Sequence, residues 1–147
     1  MKRAASLLAG MLLVAAMVPA AAQESSEGGA YYEPGTYPRL NVKRTVLNYQ
    51  RCLESPIHGI MESSLGHIIW LRLVRPDADL TPLKEEIMRL AVEGPTCCIR
   101  NRARLAATVF DSPGVFAGVA KVPYGSENEL FAQVAARAEN LLFTDNR

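Results

Sequence analysis

Residues 56–75, PIHGIMESSLGHIIWLRLVR, constrain this chain more than any other stretch, because they are almost uniformly apolar and carry the single tryptophan, Trp70. Ile57, Ile60, Ser64, Ile68 and Leu71 recur at spacings of three and four, one face of a helix, and Met61, Leu65 and Ile69 widen that face until little polar surface is left. A helix of this kind needs neighbours on several sides. The sequence therefore predicts the buried inner helix of a small all-α stack. Gly59, Ser63 and Gly66 form a second stripe of small residues, where another backbone is expected to approach closely; the alternative is that Gly66 merely costs about 1 kcal/mol of helix propensity.

The start of the chain has a different character. Residues 1–22 open with Lys2 and Arg3, continue with an uncharged core and end in Ala20-Ala21-Ala22, a pattern that fits a cleaved secretory signal peptide. The competing reading is an uncleaved anchor, since residues 4–22 carry no charge over a length near the roughly 20 residues that span a bilayer. With the leader removed, 14 basic residues face 15 acidic ones, so the mature chain is near neutral. That balance argues against nucleic acid or an anionic membrane as main partner, and no stable membrane span is expected after cleavage. Residues 23–39 are rich in Gly, Ser, Glu and Pro and predict a flexible, solvated lead-in to which Tyr31, Tyr32 and Tyr37 are incidental; the alternative is that these tyrosines dock on the domain or on a partner.

Residues 40–147 read as one helical domain. Asn41 is the expected N-cap of a first helix whose Val46, Tyr49 and Leu53 share a face; Pro56 is expected at the first position of the second helix. The turn 75–79 precedes Thr81-Pro82, read as N-cap and first helical residue of a third helix with Leu83, Ile87 and Leu90 inward. Gly94-Pro95-Thr96 separates it from a fourth, in which Ile99, Ala103, Ala106 and Phe110 repeat at helical spacing. Residues 113–125 read as a loop with room for a helical turn at 115–119. Ser126-x-x-Glu129 is a capping box for a fifth helix that buries Leu130, Phe131, Val134, Ala138, Leu141 and Leu142.

Laid against itself at a shift of 39, the chain places Ser55-Pro56 on Gly94-Pro95, Ile60 on Ile99 and Ser64 on Ala103; at 41, Val46 and Tyr49 fall on Ile87 and Leu90. Two helix-turn-helix units result, and residues 99–107, IRNRARLAA, resemble the aliphatic-Arg-x-x-Ala-x-x-Ala pattern of the second helix in a HEAT repeat. The first copy departs from it, with Met61 in place of the arginine and His67 in place of the later alanine. Over residues 40–111 the chain resembles HEAT-like α-solenoids and the short exported bacterial proteins that contain such helices. The resemblance implies protein-protein interaction in general and supplies no catalytic residue. Two repeats are fewer than the three or more that a stable stack needs, so the fifth helix is expected to cap the open face of the second repeat.

The remaining chemistry is sparse. Cys52, Cys97 and Cys98 are an odd set, so a Cys52 to Cys98 disulfide and three unpaired thiols both stay open. The cysteines and His58 or His67 lack zinc-ligand spacing, and residues 77–88 fail as a calcium loop because Pro82 and Met88 stand where glycine and glutamate belong. No phosphate-binding loop, nucleophile elbow or dinucleotide fingerprint is present, and no cofactor is called for. Arg100, Arg102 and Arg104 form a candidate basic patch for a partner; the alternative is a solvent-facing stripe that simply pairs with Glu62, Glu93 or Asp111 at little net energy. The sequence thus points to an exported, periplasmic or secreted, non-catalytic interaction module for an unknown protein partner. The alternative is a helical carrier with an apolar ligand pocket around Met61, Trp70 and Phe110.

Overall fold

The computed structural model describes Tyr32, Pro34 and residues 41–144, with side chains placed through Leu141. The expected leader, Tyr31, Tyr37, Leu40 and the side chain of Leu142 lie outside the described residues. Those described are helical throughout apart from turns and one β-bridge. In order come α1 (Val42–Leu53), α2 (His58–Val74), α3 (Thr81–Glu93), α4 (Cys97–Asp111), the single-turn α5 (Pro113–Phe116), a 3-10 turn at Val119–Lys121, and α6 (Glu127–Thr144). Five helices are expected from the sequence, and the sixth is α5, which with the 3-10 turn occupies most of the stretch read as a loop.

Local chemistry sets the helix starts. Asn41 Oδ1 accepts from the Arg44 amide at 3.1 Å and Thr96 Oγ1 from the Ile99 amide at 3.1 Å, so both caps form where side-chain oxygens can reach orphan first-turn donors. Two starts differ from expectation. Pro56 lies in the bend before α2, Ile57 is the capping residue, and its amide donates to Ser55 Oγ. Thr81 is already helical, after Leu80, because Asp79 Oδ1 takes the Thr81 amide in a local turn. At α6, Ser126 Oγ accepts from the Glu129 amide while Glu129 Oε2 reaches back to Gly125, one residue beyond the usual reciprocal partner of a capping box.

α1 packs on α2 and α3, α3 lies along α4, and α4 also packs on α2. Leu53, Leu65, Ile69, Trp70, Ile87 and Ile99 are completely enclosed at the centre of this arrangement. The inner-helix reading of α2 holds from Met61 to Leu71, but Ile57 and Ile60 are 59% and 40% exposed. All of residues 56–60 are exposed, so the apolar pattern of α2 runs past the surface its neighbours cover. Ser64 is buried, and its hydroxyl is satisfied by the Ile60 carbonyl one turn back at 2.7 Å.

The last helix departs from its expected role. α6 packs across α2 and α4 instead of closing the outer side of α3 and α4. Arg102 explains the choice: from α4 its guanidinium reaches Glu62 of α2 at 3.4 Å, pairs with Glu127 and donates to Asn128 of α6, and lies 4.8 Å over the Phe131 ring. A half-buried guanidinium between two carboxylates holds three helices at one point. Leu130, Phe131 and Val134 bury as expected, and Ala138 and Leu141 pack at the edge of the core.

Tyr32 also leaves its expected place. Instead of belonging to a solvated lead-in, it is 1% exposed and forms an antiparallel bridge with Tyr124, amide to carbonyl at 3.1 and 3.2 Å in the two directions. Its hydroxyl rests against Gly66, where an added Cβ would stand 2.6 Å from that oxygen and 3.1 Å from Glu127 Cγ. The small-residue stripe is therefore used at Gly66, by side chains and not by a second backbone. Gly59, with nothing within 4 Å, is not used at all.

Candidate functional site

Because α6 lies elsewhere, the outer side of α3 and α4 stays open. Leu83, Ile87 and Leu90 turn one side of α3 into the core, which leaves Met88 and Val92, one turn apart, on the other. They are 53% and 76% exposed. On α4 the inward set is Ile99, Ala103, Ala106, Val109 and Phe110, leaving Arg104, Ala107 and Thr108 to face the same side as Met88 and Val92. Together with Ala91 these residues line a groove of about 440 Å³. Small residues on α4 form its floor, two large apolar side chains of α3 form one wall, and a guanidinium stands on the other.

The charge balance there is uneven. Arg89 pairs with Glu86 and lies 3.7 Å from Glu93, and Lys84 reaches Asp111 at 2.8 Å. Arg104 has no ion-pair partner among the described residues. An apolar groove with one unneutralised cation is suited to an apolar surface that carries a carboxylate at its edge.

A second groove, of about 630 Å³, opens between α1 and the turn before α3, with Val42, Val46, Leu47, Ala78 and Pro82 inside and Lys43 at its rim. Its other charges are engaged locally. Arg75 binds both Asp77 carboxylate oxygens at 3.1 Å, and this hydrogen bonding, aided by its charge, holds the Asp77 carboxyl below its usual range. The hydrogen bond from Thr81 does the same for Asp79. Turn formation accounts for these groups, and Lys43, like Arg104, has no ion-pair partner among the described residues; the smaller groove carries the stronger signal for a partner because it exposes two large apolar side chains, Met88 and Val92, where the larger exposes one, Leu47.

The arginine patch read from sequence is divided in the structure. Arg102 turns inward as described, Arg100 Nη1 donates to the Gly94 carbonyl at 2.7 Å and fastens α4 to the end of α3, and only Arg104 lines the groove. Gly94 admits no side chain, since a Cβ there would meet the Leu90 carbonyl oxygen at 2.5 Å. Cys52 is half-buried, Cys97 and Cys98 are exposed, and all three are free thiols, with no Cys52 to Cys98 bridge. Cys98 lies in the open first turn of α4. Among the described residues no three His, Cys, Asp or Glu side chains gather to hold a metal ion, and no helix is long and apolar enough to cross a membrane.

Met61, Trp70 and Phe110, the proposed apolar pocket, are all core residues and line neither groove. The Arg72 guanidinium lies 5.6 Å from the Phe110 ring centroid. Around Trp70 the space is filled by rings: Tyr32 at 5.5 Å between centroids and Tyr124 edge-on at 6.2 Å, with His67 a further 5.2 Å from Tyr32. The Tyr124 hydroxyl donates to the Val119 carbonyl at 2.9 Å, and burial raises its pKa. Docking Tyr32 gains about 1.5–3 kcal/mol from ring burial and about 1 kcal/mol from each of two backbone hydrogen bonds.

Met88 and Val92 escaped the sequence reading, although a signal for them exists. They are apolar residues spaced by four on α3, off the stripe of Leu83, Ile87 and Leu90, and such a second stripe marks an uncovered helix face. No protein-family model matches the chain, and no curated protein or solved structure matches it.

Proposed function

We propose that this chain is an exported, non-catalytic helical-repeat protein whose α3/α4 groove receives an amphipathic helix of a partner protein. The observation that carries this reading is the exposed pair Met88 and Val92 beside Arg104, which has no ion-pair partner among the described residues. The bound helix lays apolar residues at spacings of three and four over Met88 and Val92 and sets a carboxylate against Arg104. Such a helix covers the side of α3/α4 that a further repeat would cover in a longer solenoid.

Burial supports the repeat, in a register slightly different from the sequence alignment. Met61, Leu65, Ile68 and Leu71 of α2 match Ile99, Ala103, Ala106 and Val109 of α4 at a shift of 38, all buried. At a shift of 39 the exposed Ile60 falls on the buried Ile99, so burial matches better at 38. Val46 and Ile87 still pair at 41, both buried. Two pairs of helices with matched burial, stacked outer on outer and inner on inner, are the arrangement expected of HEAT-like units.

The test is capture of partners by the full chain from the envelope fraction of its source cell. The native chain and a Val122→Glu control, altered at an exposed apolar residue away from the groove, retain one protein in stoichiometric amount; Val92→Glu and Arg104→Glu lose it. Retention of the same proteins by all four chains, or of none by any, refutes the groove as the docking surface.

A further inference from the structure

The aromatic cluster around Trp70 supports an inference independent of the α3/α4 groove. We infer that Tyr32 occupies, as a built-in plug, a binding site for a phenolic ring formed by Gly66, His67, Trp70, Tyr124 and Phe131. Three observations carry it. The socket walls come from α2, the segment before α6 and α6 itself, so they belong to the helical domain, whereas the ring filling them arrives from a residue nine positions ahead of Asn41. The fit is chemical as well as steric: Gly66 leaves room for the hydroxyl, with a hypothetical Cβ 2.6 Å from it, and Phe131 lies 3.5 Å from the same point. Trp70 and His67 flank the ring at centroid distances of 5.5 and 5.2 Å. Finally, Tyr124 adds a third ring to the cluster, edge-on to Trp70 at 6.2 Å between centroids.

The backbone tie between plug and domain is the two-hydrogen-bond bridge to Tyr124. Release of that bridge opens a space the size of one tyrosine side chain, lined by aromatic faces, which takes a phenol whether free or carried on an extended peptide. The peptide would replace the bridge to Tyr124 as well as the ring, by addition of one strand residue to an exposed backbone edge.

The test uses the full chain with Tyr32→Ala and two probes, p-cresol and the blocked peptide acetyl-Ala-Tyr-Tyr-Glu-amide. Thermal shift and Trp70 fluorescence report saturable binding to Tyr32→Ala at least about tenfold tighter than to the native chain, and Gly66→Ala added to Tyr32→Ala abolishes it. A peptide that binds more tightly than p-cresol identifies a protein segment as the ligand, and the reverse identifies a free phenol. Binding of neither probe to a folded Tyr32→Ala chain, or equal binding to both chains, overturns the inference. Should Tyr32→Ala fail to fold, amide hydrogen exchange of the native chain decides. The Tyr32 and Tyr124 amides exchange at least about a hundredfold faster than those at Ile68 and Ile69, and exchange at the same rate as the core overturns the plug.

Discussion

At the scale of single residues, two glycines on the same helix carry opposite expectations. Gly66→Ala forces a methyl to within 2.6 Å of the Tyr32 hydroxyl, so overpacking of about 1–3 kcal/mol outweighs the gain of about 1 kcal/mol in helix propensity. Gly59→Ala meets nothing within 4 Å and should stabilise the chain by about 0.5–1 kcal/mol. Urea midpoints measured on the two variants should move in opposite directions. His67 supplies the pH dependence. Burial holds its pKa below the ordinary 6.5, so the folded chain binds that proton more weakly than the unfolded chain. Stability from this group is complete above 6.5 and declines as pH falls through the folded value. Between about pH 7.5 and about pH 5 the native chain should lose more stability than His67→Gln in paired urea titrations.

Arg102 shows where the sequence could have been read further. Residues two apart on a helix point about 200° away from each other, so Arg102 could not share a face with Arg100 and Arg104. Which of the two faces is buried depends on where α6 docks, and Arg102 itself helps to decide that. Arg102→Met leaves Glu62 and Glu127 close together, half-buried and without their cation, at an expected cost of about 2–3 kcal/mol in chemical denaturation. Arg102→Lys recovers less than half of this, because an ammonium cannot match a planar group that serves Glu62, Glu127 and Asn128 while stacking on Phe131.

At the scale of elements, the helices were legible because their ends are marked. Asn41, Gly94 and Thr96 act through backbone groups within a few residues, and such local chemistry survives without knowledge of the fold. Orientation was less legible. α2 is apolar nearly all round, so its periodicity gives little indication of which side faces which neighbour, and Ile57 and Ile60 were assigned to a core that ends before them. Tyr32 had no periodic signal, since one docked residue in an extended segment has no face to repeat. The position of α6 depends on side chains far apart in sequence, Glu62, Arg102 and Glu127, and no local pattern predicts it. In α4 the apolar spacing and the burial agree: Ile99 is completely enclosed. Ile99→Asp buries an unpaired carboxylate and should abolish cooperative thermal unfolding by circular dichroism, whereas Thr96→Ala, which removes only the cap, should cost about 1 kcal/mol.

At the scale of the whole molecule, the fold divides its work between inside and outside. Arg102, Gly66 and the Trp70 cluster hold α6 across α2 and α4, and this placement leaves the outer side of α3/α4 uncovered. A two-pair stack whose last helix packs elsewhere keeps one unsatisfied face, and that face bears Met88, Val92 and a guanidinium with no ion-pair partner among the described residues. Site-specific photocrosslinking inside the source cell tests this most directly, with a photoreactive residue at position 92 and, as control, at position 122, which is also exposed. The account predicts a single defined adduct from position 92, lost when Arg104→Glu is added, and none from position 122. The same adducts from both positions, or none from position 92, would contradict it.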